Sequence, residues 1–232
     1  MYCRRLCLLC RGDAAAIAGW LRETPRGWGW FCAGTVLIAA ALYGASLGCW
    51  QAPRQAVYAA AKFPLLIFAT VFGNALLNGM LAQILGLPVT FRQSLLAILM
   101  SFVIATLMLA AFAPVALFLA YSVPATDKGY SVVLLVHVVV IAYAGVAANV
   151  RLLRLLNLLS GCRQRARRVL LAWLAGNLIV GTQVSWIISP FIGDPAKPVM
   201  LIQEHPLQRN FFEYAGDRAR RLCSITNPKE TR

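Results

Sequence analysis

Between Glu23 and Asp194 the chain carries one acidic residue, Asp127, and five runs within that stretch have no charge: 27–53, 63–91, 93–126, 129–150 and 169–193. A helix rises about 1.5 Å per residue, so even the shortest run, 129–150, covers a hydrocarbon core about 30 Å thick. Inside that core lipid offers backbone groups no hydrogen-bond partner, and a helix satisfies them within itself. The pattern predicts an all-α, polytopic transmembrane helical bundle of about five spans.

Composition agrees. Of 232 residues, 60% are hydrophobic and 13% charged, with a mean hydropathy of +0.69. A soluble domain of this size needs more charge to cover its surface. The spans are expected at about 30–50, 64–86, 92–121, 130–150 and 169–189. They leave a basic amphipathic segment, 1–29, and a tail, 191–232, that is Pro-rich and apolar, then charged.

The net charge of +14 raises the question of nucleic acid. The arginines answer it, because they sit at the ends of apolar runs, where basic residues set topology and meet anionic headgroups. Membrane lipids, not nucleic acid, are the expected partners. Arg151, Arg154, Arg163, Arg165, Arg167 and Arg168 form the densest group and are the candidates for anionic-lipid contact. With the N-terminus inside, twelve basic residues fall on inner connections and three on outer ones. The expectation is an integral protein of a bacterial inner (plasma) membrane, with a cytoplasmic N-terminus and the tail outside.

Seven cysteines, an odd number, and two histidines show no metal-ligand spacing. No metal, cofactor or catalytic cluster is expected. Cys3, Cys7 and Cys10 recur at helical spacing among arginines, a pattern compatible with S-acylation or with a plain membrane-surface helix. Asp13 is placed to cap a short helix reaching Glu23, with Ile17, Trp20 and Leu21 on one side.

Several residues suggest how the spans begin, pack and bend. Trp28 and Trp30 mark one membrane interface and Trp50 the other. Ala40, Gly44 and Gly48 make a small-residue stripe that permits close helix approach. Pro64 suits the first turn of the second span. Pro114 divides a run of 34 residues, read here as one long third span kinked at Pro114. The alternative is a span followed by a re-entrant half-helix.

Two spans carry polar stripes. Thr70, Asn74 and Asn78 share one face of the second span; Asn177, Gly181 and Ser185 share one face of the fifth. A buried amide must find a partner, so one reading is hydrogen bonding between helices. The other is a hydrophilic path. No full charge lies deep in any predicted span, which argues against an ion-coupled pump.

Lys62-Phe63-Pro64, Phe112-Ala113-Pro114, Trp186 and Pro190-Phe191-Ile192-Gly193, followed by Pro195, Pro198 and Asn210-Phe211-Phe212-Glu213, resemble a bacterial group of five-span, Yip1-like membrane proteins, some of which bear an actin-binding WH2 label. The resemblance covers about 30–215. It implies an integral-membrane bundle and no particular activity. In the tail, Phe191, Phe211 and Phe212 either pack back on the bundle or dock a neighbouring subunit.

The function expected from these features is non-enzymatic: a membrane scaffold or accessory subunit that assembles with itself or with another membrane protein. The alternative is a homo-oligomeric passive channel or transporter for a small solute or ion. A lipid-modifying enzyme built on Asp194, Glu204 and His205 ranks third.

Overall fold

The computed structural model describes residues 2–23, 25–87, 89–193 and 199–202. Among these residues seven helices follow in order: α1 (Tyr2–Arg11), α2 (Ala14–Glu23), α3 (Trp28–Gly48), α4 (Pro53–Ile84), α5 (Phe91–Ser122), α6 (Asp127–Ser160) and α7 (Arg163–Ile188). The last five are long and apolar enough to cross a membrane. The fold is the all-α bundle that the uncharged runs predict.

The spans run alternately up and down. Helix α3 packs on both α4 and α5, α5 continues to α6, and α7 closes on α4 and α6. One end of the bundle carries the α4–α5 and α6–α7 turns with α1 and α2; it is the arginine end. The opposite end carries the α3–α4 and α5–α6 connections and the exit from α7.

Local chemistry sets the helix boundaries. The Thr90 side chain accepts from the Gln93 N–H at 3.3 Å while the Gln93 side chain accepts from the Thr90 N–H at 2.8 Å, a reciprocal cap that starts α5. Thr126 caps α6 by accepting from the Gly129 N–H. Gly161 ends α6 at φ 62°, a left-handed conformation that favours glycine.

The helices outrun the predicted spans. Helix α4 begins at Pro53, so Pro64 lies inside it rather than in its first turn. Residues 151–168 are almost wholly helical, because α6 continues to Ser160 and α7 starts at Arg163. Charge ends the membrane-compatible run but not the helix, since arginine is a good helix former. Helix α5 is unbroken from Phe91 to Ser122 with Pro114 inside it, so the re-entrant hairpin does not form. Pro114 has no N–H, and the Ala110 carbonyl loses its helical donor there.

The tryptophans also differ from expectation. Trp30 is 85% exposed, but Trp28 and Trp50 are buried. Trp28 Nε1 donates to Met100 Sδ at 3.5 Å, and Trp50 Nε1 donates to the Val123 carbonyl at 3.1 Å. Both indoles are structural, Trp28 tying α3 to α5 and Trp50 tying the α3–α4 connection to the α5–α6 connection.

The N-terminal segment belongs to this core. Asp13 accepts from the Ala16 N–H, and Leu9, Ile17 and Leu21 are buried. Helix α2 lies against α5 and α6, with Gln93 Nε2 donating to the Leu21 carbonyl at 3.1 Å. Arg5 sits over both Trp20 and Trp28, 5.9 and 5.8 Å from their centroids. Cys3 and Cys7 stay exposed on α1.

Ala40, Gly44 and Gly48 lie on the α3 face against α4 within one chain. A Cβ on Gly44 would stand 2.5 Å from the Ala59 carbonyl oxygen, and one on Gly48 the same distance from the Gln55 carbonyl oxygen. Ala40 beside them is fully buried. The two backbones approach this closely because nothing larger than hydrogen intervenes.

Candidate functional site: the polar seam between α4 and α7

The two polar stripes predicted from sequence meet each other. Asn74 Nδ2 donates to the Gly176 carbonyl at 3.0 Å and to the Thr70 carbonyl at 3.3 Å. Asn78 Nδ2 donates to Asn177 Oδ1 at 3.4 Å. Trp173 Nε1 donates to the Asn78 carbonyl at 2.8 Å. The Thr70 hydroxyl donates to the Leu66 carbonyl and borders Gly181, where a Cβ would lie 3.3 Å from it. Asn74, Asn78 and Thr70 are all buried, so the stripe lies under α7 and not on the outer surface of the chain.

The seam extends further than sequence suggested. Gln55 and Lys62 lie on the same side of α4, toward the opposite end. Gln55 Nε2 donates to the carbonyls of Pro190 and Phe191, at 3.0 and 3.1 Å. Lys62 Nζ donates to the Pro190 carbonyl at 2.8 Å. Gln55 is fully buried and Lys62 is 4% exposed. Phe191 stands edge-on to Phe63 at 6.1 Å, packing back on the bundle. A basic side chain therefore does lie within a long apolar helix, because α4 starts at Pro53, eleven residues before the predicted start of the span.

The contacts follow one antiparallel register. Gln55 and Lys62 meet Pro190, Thr70 meets Gly181, Asn74 meets Gly176, and Asn78 meets Trp173 and Asn177. Ser185, half-buried, falls between the Lys62 and Thr70 levels. From Gln55 to Asn78 the stripe covers about 35 Å of helix, the full depth of a bilayer core.

Every amide donor that the seam buries on α4 has an acceptor, but the acceptors do not all have donors. Gln55 Oε1, Asn74 Oδ1 and Asn78 Oδ1 are buried without a hydrogen-bond partner. The Asn74 and Asn78 oxygens both face Gly176, 3.4 and 3.9 Å from where a Cβ would stand. Its Cα–H is at best a weak donor. An unsatisfied buried acceptor costs about 1–3 kcal/mol. The seam is thus closed at a standing energetic cost.

Helix α7 is the least embedded span. Ala166, Val169 and Trp173, all near its start, are its only fully buried residues. Leu171, Leu178 and Ile179 on its far side are exposed. Beyond Trp173 it covers the stripe of α4 with a face that includes Gly176 and Gly181 and has no fully buried residue; the helix touches α6 as well.

The arginines form a separate surface. Arg154, Arg163, Arg165, Arg167 and Arg168 are exposed at the arginine end, and Arg165 lies over Gly86 in the α4–α5 turn. Arg151 is half-buried against Gly12 in the α1–α2 turn. Phe211, Phe212, Asp194, Glu204 and His205 lie outside the described residues.

Sequence reasoning missed the partners that complete these sites. Trp173 and Gly176 look like ordinary apolar-helix residues, and Gln55 and Lys62 look like a polar link. The signal available was the eight-residue step from Lys62 to Thr70, which keeps both on one helical face. His137, read as isolated, is joined by the Tyr43 hydroxyl at 2.8 Å from its Nδ1. Among the described residues no group of three or more His, Cys, Asp or Glu could hold a metal ion. Comparison with family models, curated proteins and solved structures gives no match to this chain.

Proposed function

We propose that the chain is a non-enzymatic membrane scaffold or accessory subunit that assembles, with itself or with another membrane protein, through the uncovered side of α7. The supporting observation is the asymmetry of that helix. It commits one polar face to α4 and another side to α6, buries no residue fully beyond Trp173, and leaves Leu171, Leu178 and Ile179 exposed. Helices in lipid associate by close packing, and a weakly embedded helix with Leu171, Leu178 and Ile179 exposed offers a surface for it. The arginine end faces the anionic cytoplasmic leaflet in this reading, where each basic residue near the surface contributes about 1 kcal/mol.

Native mass spectrometry from nanodiscs tests the reading. A stable oligomer or a defined complex, lost when Leu178 and Ile179 are changed to Trp to block the α7 face, is the expected result. A strictly monomeric protein that captures no membrane partner overturns it.

The passive channel formed by several copies has less support. Its proposed lining, Thr70, Asn74 and Asn78, faces α7 of the same chain.

A further inference from the structure

We infer that the α4–α7 seam is the closed form of a lateral groove along which phospholipid headgroups cross the membrane. The inference needs only one chain, with the outer side of α7 not occupied by a partner.

Three observations carry it. First, the polar stripe of Gln55, Lys62, Thr70, Asn74 and Asn78 runs the depth of the hydrocarbon core, and all five side chains are at most 5% exposed. Second, three acceptors in the stripe are buried without a donor while α7 is in place. A ligand that satisfies them must donate hydrogen bonds, as the ammonium of an ethanolamine headgroup and the hydroxyls of a glycerol headgroup do. Third, the cover is a single helix that buries no residue fully beyond Trp173. Leu178 and Ile179 are more than half exposed, and Gly176 and Gly181 leave the seam face of α7 without side chains at two levels.

The geometry selects the occupant. Parting two helices at the edge of a bundle opens a groove toward lipid, not a walled pore. Water and ions are not confined by such a groove, whereas an amphiphile fits it, with the headgroup against α4 and the acyl chains still in the bilayer. Basic side chains lie along the path to receive the headgroup phosphate: Lys62 within the stripe near Pro190, and Arg165 beyond its far end beside the α4–α5 turn. No bond is made or broken in the transfer; lipid moves between leaflets down its own gradient.

The test uses the full-length protein in phosphatidylethanolamine/phosphatidylglycerol vesicles containing a trace of tail-labelled fluorescent phosphatidylethanolamine. Dithionite added outside bleaches the outer leaflet, and bleaching of the inner-leaflet pool reports transfer. A second set of vesicles holding trapped carboxyfluorescein reports leakage. The closed seam is locked with the pair Thr70→Cys and Gly181→Cys, whose side chains adjoin across α4 and α7, in a background with the native cysteines changed to Ser or Ala. Wild-type vesicles are expected to bleach at least tenfold faster beyond the outer pool than protein-free ones, without dye release. Oxidation of the cysteine pair abolishes the gain and reduction restores it. Asn74→Leu with Asn78→Leu, which keeps the branched shape and removes the polar atoms, lowers the rate at least fivefold while the protein remains folded by circular dichroism. Bleaching no faster than in protein-free vesicles overturns the inference. So does transfer that persists in the oxidised pair, because the path then lies elsewhere, and so does dye release that parallels bleaching, because the path is then a solute pore.

Discussion

The Tyr43 hydroxyl meets His137 Nδ1 at 2.8 Å, with both side chains buried between α3 and α6. Helices 94 residues apart in sequence are joined by one polar contact in an otherwise apolar layer. Tyr43→Phe leaves the imidazole nitrogen without its partner and is expected to cost about 1–3 kcal/mol. Adding His137→Phe is expected to recover part of that loss, because neither polar group then remains. Thermal unfolding of the four proteins of the cycle in detergent measures the coupling, and strictly additive losses would refute it.

Gly44 and Gly48 are expected to reject even a methyl group. Either Gly→Ala change puts a Cβ 2.5 Å from a backbone oxygen of α4, where no side chain is free to move aside. Each is expected to destabilise by about 1–3 kcal/mol, the usual range for overpacking. Gly34 on the same helix meets nothing within 4 Å. Gly34→Ala is therefore expected to be neutral or stabilising by up to about 1 kcal/mol from helix propensity. Melting temperatures of the three variants make the comparison.

Lys62 is expected to matter more for its volume than for its charge. The Pro190 carbonyl keeps its Gln55 donor when the ammonium is removed. Lys62→Met preserves the packing and relieves a desolvated charge, so its stability should lie within about 1.5 kcal/mol of wild type. Lys62→Ala opens a cavity between α4 and the α7 exit and is expected to cost about 2 kcal/mol or more. Equal losses for the two variants in a denaturation series would show instead that the charge itself holds the exit.

Cys162 is expected to be the most reactive of the thiols that can be compared outside the spans. Its side chain makes no capping hydrogen bond, yet it lies at the start of α7, where the free N–H groups of Arg165 and Gln164, and then the Arg165 and Arg168 charges, favour the thiolate and lower its pKa. Cys10 is shifted the other way, chiefly by burial, with Arg151 only partly compensating. A lowered pKa keeps more thiolate at a given pH. Iodoacetamide labelling of Cys162 should therefore exceed that of Cys10 at neutral pH and persist further as the pH falls. Peptide mass spectrometry across a pH series gives the order directly.

The spans were legible because hydrocarbon is an unforgiving solvent: one charge-free run of sufficient length admits few structures. Pairing was legible only in part. The spacing of Thr70, Asn74 and Asn78 shows that they share a face, and that of Asn177 and Gly181 does the same, but periodicity carries no information about which face meets which. Trp28 and Trp50 were misread for a related reason. An indole near the end of a run serves equally at a headgroup or under another helix, and here α2 and the Val123 carbonyl decide it. Lys62 was assigned to a link because a charge was taken to end a helix, whereas it ends only the stretch that lipid can surround. Once the bundle buries that position, a carbonyl can hold the ammonium.

The partners in the α4–α7 seam are made at very different times. Asn74 and Gly176 are 102 residues apart, and a ribosome adding about 5–20 residues per second takes about 5–20 s to cover that distance. For that interval α4 has its amides but not the helix that answers them. Within α4 itself Asn74 has only the Thr70 carbonyl to turn to, and the seam closes only when the last span arrives.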